Sequence, residues 1–108
     1  MIYEQRIYTC NPGKLPLLNK RFETVTLKLW QKHGFRPVAF FTTLVGEDAN
    51  DLTYLIAWES MAEREKKWNG FAADPDWLKA RAESEKDGPL LARIRNQFLA
   101  PTAYSEMK

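Results

Sequence analysis

Two neighbouring segments, FRPVAFFTTLV at residues 35–45 and LTYLIAW at residues 52–58, are apolar on both sides of an extended chain. In the first, Ala39, Phe41 and Val45 alternate with Val38, Phe40 and Leu44; in the second, Leu52, Tyr54, Ile56 and Trp58 alternate with Leu55 and Ala57. Strands patterned in this way need cover on both faces. The polar tract GEDAND at residues 46–51 turns the chain between them, so they read as an antiparallel hairpin.

The rest of the chain supplies two helical regions and two further strands. Residues 2–9 alternate, with Ile2, Glu4, Arg6 and Tyr8 on one face and Tyr3, Gln5, Ile7 and Thr9 on the other. After the turn Asn11-Pro12-Gly13, Leu15, Leu18, Phe22, Val25 and Leu29 recur at three- and four-residue steps and predict one helix that stops at Gly34. Lys32 and His33 in its last turn suit the negative end of the helix dipole. Ser60-Met61-Ala62-Glu63 has the spacing of a capping box and opens a second helix, with Met61, Trp68, Phe71 and Ala72 on one face. Asp74-Pro75 restarts that helix with a capping carboxylate before a proline at the first helical position. Gly88-Pro89 ends it, and residues 91–99 predict a last strand with Ile94 and Phe98 on one side, followed by a fraying tail.

The order β-α-β-β-α-β is that of an α+β, ferredoxin-like split arrangement, a four-stranded antiparallel sheet with helices on one face. Two helical regions cover one face of such a sheet, whereas the hairpin is apolar on both. An uncovered apolar face is an aggregation liability. The economical cover is the same face of a second copy, so the pattern predicts a homodimer through the sheet face, a dimeric α+β barrel.

At 108 residues the chain fits a single domain spanning residues 1–108. A domain of this size buries about 65% of the surface its unfolded form exposes. Net charge is +2, from 16 basic and 14 acidic residues without a basic block or stripe, which excludes a nucleic-acid footprint. Cys10 is the sole cysteine, so neither an internal disulfide nor a thiolate metal cluster can form, and a reducing, cytoplasmic compartment fits. No stretch approaches the ~20 apolar residues of a membrane span, and the opening MIYEQRIYT alternates like a strand rather than a signal peptide, so the mature chain is expected to begin at or next to Met1.

IYEQRIYTCNPGKL at the start, HGFRPVAFFTT in the middle, and YLIAWESMAEREKKW followed by ADPDW resemble the NIPSNAP family, a branch of the dimeric α+β barrel superfamily. The resemblance runs over nearly the whole chain and implies that fold. The wider superfamily contains cofactor-independent monooxygenases, muconolactone isomerases, haem-degrading enzymes and haem peroxidases, so the resemblance supplies several chemistries and selects none. In the haem-degrading members the ligand lies in the second helical region, which here has no histidine; haem is not expected. With one histidine, one cysteine and no glycine-rich phosphate loop, neither metal nor flavin is expected either.

Among candidate site residues, Glu4, Arg6 and Tyr8 set a carboxylate, a guanidinium and a phenol along one side of one strand, about 7 Å apart. Two readings are open: a structural ion pair with tyrosine packing, or a catalytic group in which Arg6 anchors an anionic or carbonyl-bearing ligand and Tyr8 donates a hydrogen bond or a proton. Trp30, Trp58, Trp68 and Trp77 with Phe71 are core, or they line a ligand cleft between helices and sheet. His33 reads as a capping residue and Cys10 as incidental, with no base near it to activate it. Two functions follow. The chain binds or transforms a small apolar or aromatic compound without metal or organic cofactor, in the manner of a cofactor-independent monooxygenase or isomerase, or it is a non-catalytic dimeric binding or assembly module.

Overall fold

The computed structural model describes residues 1–108. In chain order it contains β1 (Ile2–Cys10), α1 (Leu15–Arg21), a π-helical turn (Phe22–Thr26), α2 (Leu27–Lys32), β2 (Arg36–Thr42), β3 (Asp51–Trp58), α3 (Met61–Ala72), α4 (Pro75–Ser84) and β4 (Leu91–Leu99). The strands form one antiparallel sheet in the order β2-β3-β1-β4. This is the expected ferredoxin-like arrangement, in which the two ends of the chain pair with each other as β1 and β4.

The alternation read in β1 decides which side is covered. Tyr8 lies opposite Leu52 and Ile94, Arg6 opposite Tyr54 and Asn96, and Glu4 opposite Ile56 and Phe98. On that face Tyr8, Leu52, Tyr54, Ile56 and Trp58 pack against Leu18, Phe22, Leu29, Trp30 and Phe71 from the helices. Aromatic side chains dominate the contact, with Phe22 at 5.4 Å from Tyr54, Trp30 at 5.1 Å from Phe35 and Phe35 at 5.0 Å from Trp58, centroid to centroid. Large flat rings let short helices fill the space above four strands.

Several local expectations change in detail. The helix predicted as one piece is interrupted by the π-helical turn at Phe22–Thr26. An inserted residue in that turn resets the helical phase, so Thr26 and Trp30 reach the covered side while Val25 is only half-buried. The second strand ends at Thr42 rather than at residue 45, because its last pairing, Thr42 with Leu52, falls near the start of β3. Leu44 and Val45 therefore sit in the connecting loop, 96% and 94% exposed. Ser60 caps α3 by accepting the Glu63 amide at 3.1 Å, but the Glu63 carboxylate reaches back to the amide of Glu59, one residue before the cap. Asp74 caps α4 through Oδ1, while its Oδ2 receives Lys32 Nζ at 2.9 Å and meets His33 Nε2 at 2.7 Å. Lys32 and His33 thus tie α2 to the start of α4, beyond any dipole effect. Gly34 has φ +79°, which only glycine adopts cheaply, and lets the chain reverse into β2.

Beneath the aromatic layer lies a fully buried carboxylate. Glu4 Oε1 accepts from Trp58 Nε1 and Arg64 Nε, both at 3.1 Å; Oε2 accepts from Arg6 Nη1 at 2.9 Å, Asn96 Nδ2 at 3.0 Å and Arg64 Nη2 at 3.1 Å. These donors come from β3, α3, β1 and β4, so one side chain joins four elements. Burial by itself would raise the Glu4 pKa, but the hydrogen bonds from Arg64, Asn96 and Arg6 outweigh it and hold the carboxyl below its ordinary value.

A carboxyl with a lowered folded pKa contributes stability above its unfolded value, near pH 4.5, and loses it as pH falls through the folded value. Glu4→Gln should lower unfolding free energy at pH 7 by about 3–5 kcal/mol, the range for breaking a buried ion pair. Its stability should also fall less between pH 6 and pH 3 than that of the wild type, as read from urea denaturation at each pH.

Candidate functional site

The covered face of the sheet is wider than the helices that cover it. Along β4 it is left open, with Ile94 49% and Phe98 38% exposed. Between β1 and β4 on one side and the helices on the other runs a cleft of about 490 Å³. Its aromatic lining is Tyr8, Phe22, Trp30, Trp68, Phe71 and Trp77, and Leu91 and Ile94 extend it along β4. Of its charged lining residues, Arg6, Arg21, Arg81 and Arg93 are cations and Glu85 is the single anion.

The residues proposed from sequence divide between this cleft and the layer behind it. Arg6, Tyr8, Trp30, Trp68, Phe71 and Trp77 line it. Glu4 and Trp58 do not; both are fully buried, joined by the indole-to-carboxylate hydrogen bond. Arg6 is brought against Glu4, and its remaining nitrogens are occupied as well: Nε donates to Tyr54 Oη at 2.9 Å and Nη2 to Tyr8 Oη at 3.2 Å. Its guanidinium carbon lies 4.3 Å from the centre of the Trp68 ring. Burial alone would lower the Arg6 pKa, but the two phenols and the Glu4 carboxylate raise it, so the group stays a cation.

Hydrogen-bond accounting makes Tyr8 different from Arg6. Tyr54 Oη accepts from Arg6 and donates to Tyr8 Oη at 2.8 Å, and Tyr8 also accepts from Arg6 Nη2. Tyr54 is completely enclosed, and burial pushes its phenol well above the ordinary value, so it holds its proton. Tyr8 lines the cleft and accepts twice, which leaves its own hydroxyl proton without a protein acceptor. The phenol is thereby a donor toward whatever occupies the cleft.

Arg21 and Thr26, which the sequence did not single out, join Trp30 in bringing unpartnered polar atoms to the lining. Arg21, Thr26 and Trp30 are 7%, 2% and 1% exposed, and Arg21 Nε, Thr26 Oγ1 and Trp30 Nε1 are buried without a hydrogen-bond partner. Native interiors leave few such atoms unpaired, and each costs about 1–3 kcal/mol. All three residues line the same cleft. Arg21 and Thr26 are polar residues beside the apolar stripe of this helical region; the π-helical turn carries Thr26 inward, and Arg21 is the last residue before it. The available signal was Trp30, a large apolar side chain that an uninterrupted helix would leave on the flank of the apolar stripe.

His33 lies outside the cleft, bonded to Asp74, and no group of three His, Cys, Asp or Glu side chains could hold a metal ion. The cleft thus offers haem no imidazole, and the Tyr8 oxygen is engaged by Arg6 and Tyr54. The donor set does not fit a haem ligand.

Comparisons with known proteins agree with this architecture. A crystal structure of a NIPSNAP family protein of unknown function from Agrobacterium tumefaciens superposes with a TM-score of 0.87 at 25% identity, covering 100% of this chain and 94% of that one. An uncharacterized NIPSNAP-like domain protein from Burkholderia xenovorans gives 0.85 at 26% identity, covering 96% and 87%. MhuD, in a crystal structure of a mutant form with two manganese protoporphyrin IX bound per active site, gives 0.67 at 16% identity over 97% and 98%, a likeness of fold alone. A search of curated proteins finds no match. The NIPSNAP family model matches residues 3–106, from the second residue of β1 into the C-terminal tail, and the chain belongs to the NIPSNAP family.

Proposed function

We propose that the protein binds, and in the manner of a cofactor-independent monooxygenase or isomerase acts on, a small apolar or aromatic compound held between helices and sheet. The observation that carries this reading is the cleft itself: it is walled by aromatic side chains and carries polar atoms that its own structure leaves unpartnered. A site filled by its own side chains would favour an assembly module instead. In this reading Trp30, Trp68, Phe71 and Trp77 hold the apolar body, Tyr8 donates to an oxygen of the ligand, and Arg6 keeps the Tyr8 phenol polarised. Glu4 and Trp58 support Arg6 from behind.

The homodimer belongs to the same reading. Ile7, Leu55, Ala39, Phe41 and Leu99 face away from the helices by register, and Phe41 and Leu99 are 55% and 40% exposed. A second copy on that face leaves the cleft, on the other side of the sheet, accessible. The buried free thiol of Cys10 suits a reducing, cytoplasmic setting.

N-Phenyl-1-naphthylamine, a neutral dye that fluoresces in apolar surroundings, should bind the wild type with saturation at one site per chain. Ala72→Trp, on the α3 side of the cleft, should abolish that signal while leaving the melting temperature within a few degrees. Dye binding that survives Ala72→Trp would locate the apolar site elsewhere. Light scattering after size exclusion should report about twice the 12.6 kDa chain mass, and a monomer at micromolar concentration would remove the dimer from the reading.

A further inference from the structure

Arg21 is a buried cation whose hydrogen bonds use only one of its three nitrogens. Nη1 donates to Ser84 Oγ at 3.1 Å and makes a long contact of 3.5 Å with Glu85 Oε2. Nε is enclosed and has no partner, whereas Nη2 is not enclosed and makes no hydrogen bond with any protein atom. Those two nitrogens form one side of the guanidinium, with parallel N–H groups spaced to grip both oxygens of a carboxylate. Arg6, by contrast, has a protein partner on every nitrogen.

Nothing else nearby neutralises Arg21. Glu85 is shared with Arg81, whose Nε lies at 3.1 Å, closer than Arg21. The guanidinium carbon lies over the Trp77 ring, 5.1 Å from its centre. Taking a cation out of water without a hydrogen-bonded counter-charge is expensive. Burial accordingly lowers the Arg21 pKa, with Glu85 and Tyr8 only partly opposing it. Trp30 and Thr26 line the same cleft and each holds a buried unpartnered atom: Trp30 Nε1 is a donor, and Thr26 Oγ1 can donate or accept.

We propose that the ligand of the cleft is a small aromatic carboxylate, and that its carboxylate enters at Nη2 of Arg21 and, as the side chain shifts to open the enclosed Nε, is gripped by the Nε and Nη2 edge. The inference rests on the small-molecule reading above and sharpens it: the anion anchor is Arg21, not Arg6. The ring system lies among Trp68, Phe71 and Trp77, and the carboxylate points to the π-helical turn, where an orphaned guanidinium gains the partner that the fold denies it. Tyr8, across the cleft on β1, serves an oxygen elsewhere on the ligand.

The test compares 2-naphthoate with its neutral isostere 2-naphthamide, each titrated into ¹⁵N-labelled protein and read on the indole N–H signals, with Trp30 assigned by Trp30→Phe. In the wild type 2-naphthoate should bind at least tenfold more tightly and move the Trp30 signal. Arg21→Gln should bring the Kd of 2-naphthoate to that of 2-naphthamide, whose own Kd should stay unchanged and so report an intact cleft. Arg21→Lys, which keeps the charge and loses the paired N–H edge, should lose most of the preference. Equal affinity of the two probes in the wild type overturns the carboxylate anchor while leaving an apolar cleft; that ratio needs no variant to fold. A preference that persists in Arg21→Gln overturns the assignment to Arg21, and one kept in full by Arg21→Lys overturns the paired grip. Absence of any indole shift with either probe at millimolar concentration overturns the anchor and, together with absent dye binding, the small-molecule reading as well.

Discussion

The buried carboxylate of Glu4 is the constraint on which the remaining architecture depends. A charge at zero exposure is tolerable only if its oxygens are saturated with donors, and here those donors arrive from every direction the sheet and α3 can offer. Satisfying Glu4 fixes the register of β1 against both neighbours, since Asn96 must stand opposite Arg6 and Trp58 must close the other side. It also draws Arg64, and with it α3, down onto the sheet. A slip of one residue in β1 would turn Glu4 and Arg6 together to the opposite face and strand Arg64 and Asn96.

The same saturation assigns different tasks to two arginines that enter one cleft. Arg6 is absorbed by Glu4, Tyr8 and Tyr54, and the enclosed Tyr54 hydroxyl donates to Tyr8, which leaves the Tyr8 proton for the cleft. Arg21 is the last residue of α1, at the point where the π-helical turn begins, and it is buried there without a full set of acceptors. Irregular helical turns of this kind are kept where a side chain must be aimed against the preference of the regular helix. A break in the regular hydrogen-bond pattern and an uncommitted cation therefore coincide at one wall of the cleft.

The element order, the covered face and both capping residues were legible in the sequence because each is carried by neighbours in the chain: alternation in β1, Ser60 before α3, Asp74 before Pro75. Glu4, Arg6 and Tyr8 were legible as a group because a strand sets alternate residues side by side. Their meeting with Arg64 and Asn96 was not, since those partners stand 60 and 92 positions away from Glu4. Arg21 and Thr26 were concealed by their polarity, which matches the solvated stripe of an ordinary helix and conveys nothing about a π-helical turn. The exposure of Leu44 and Val45 was concealed for a related reason: periodicity describes a strand but not the point where its partner ends.

Paired substitution by a side chain of similar length without charge separates a committed cation from an uncommitted one. Thermal melts of Arg6→Met and Arg21→Met, followed by circular dichroism at pH 7 without ligand, should move in different directions. Arg6→Met abandons a buried carboxylate and should melt well below the wild type. Arg21→Met removes a guanidinium with unpaired N–H groups from an apolar wall and should melt at or above it, as expected where a site is held at some cost to stability. An Arg6→Met protein as stable as the wild type, or an Arg21→Met protein that loses as much as Arg6→Met, would contradict the account.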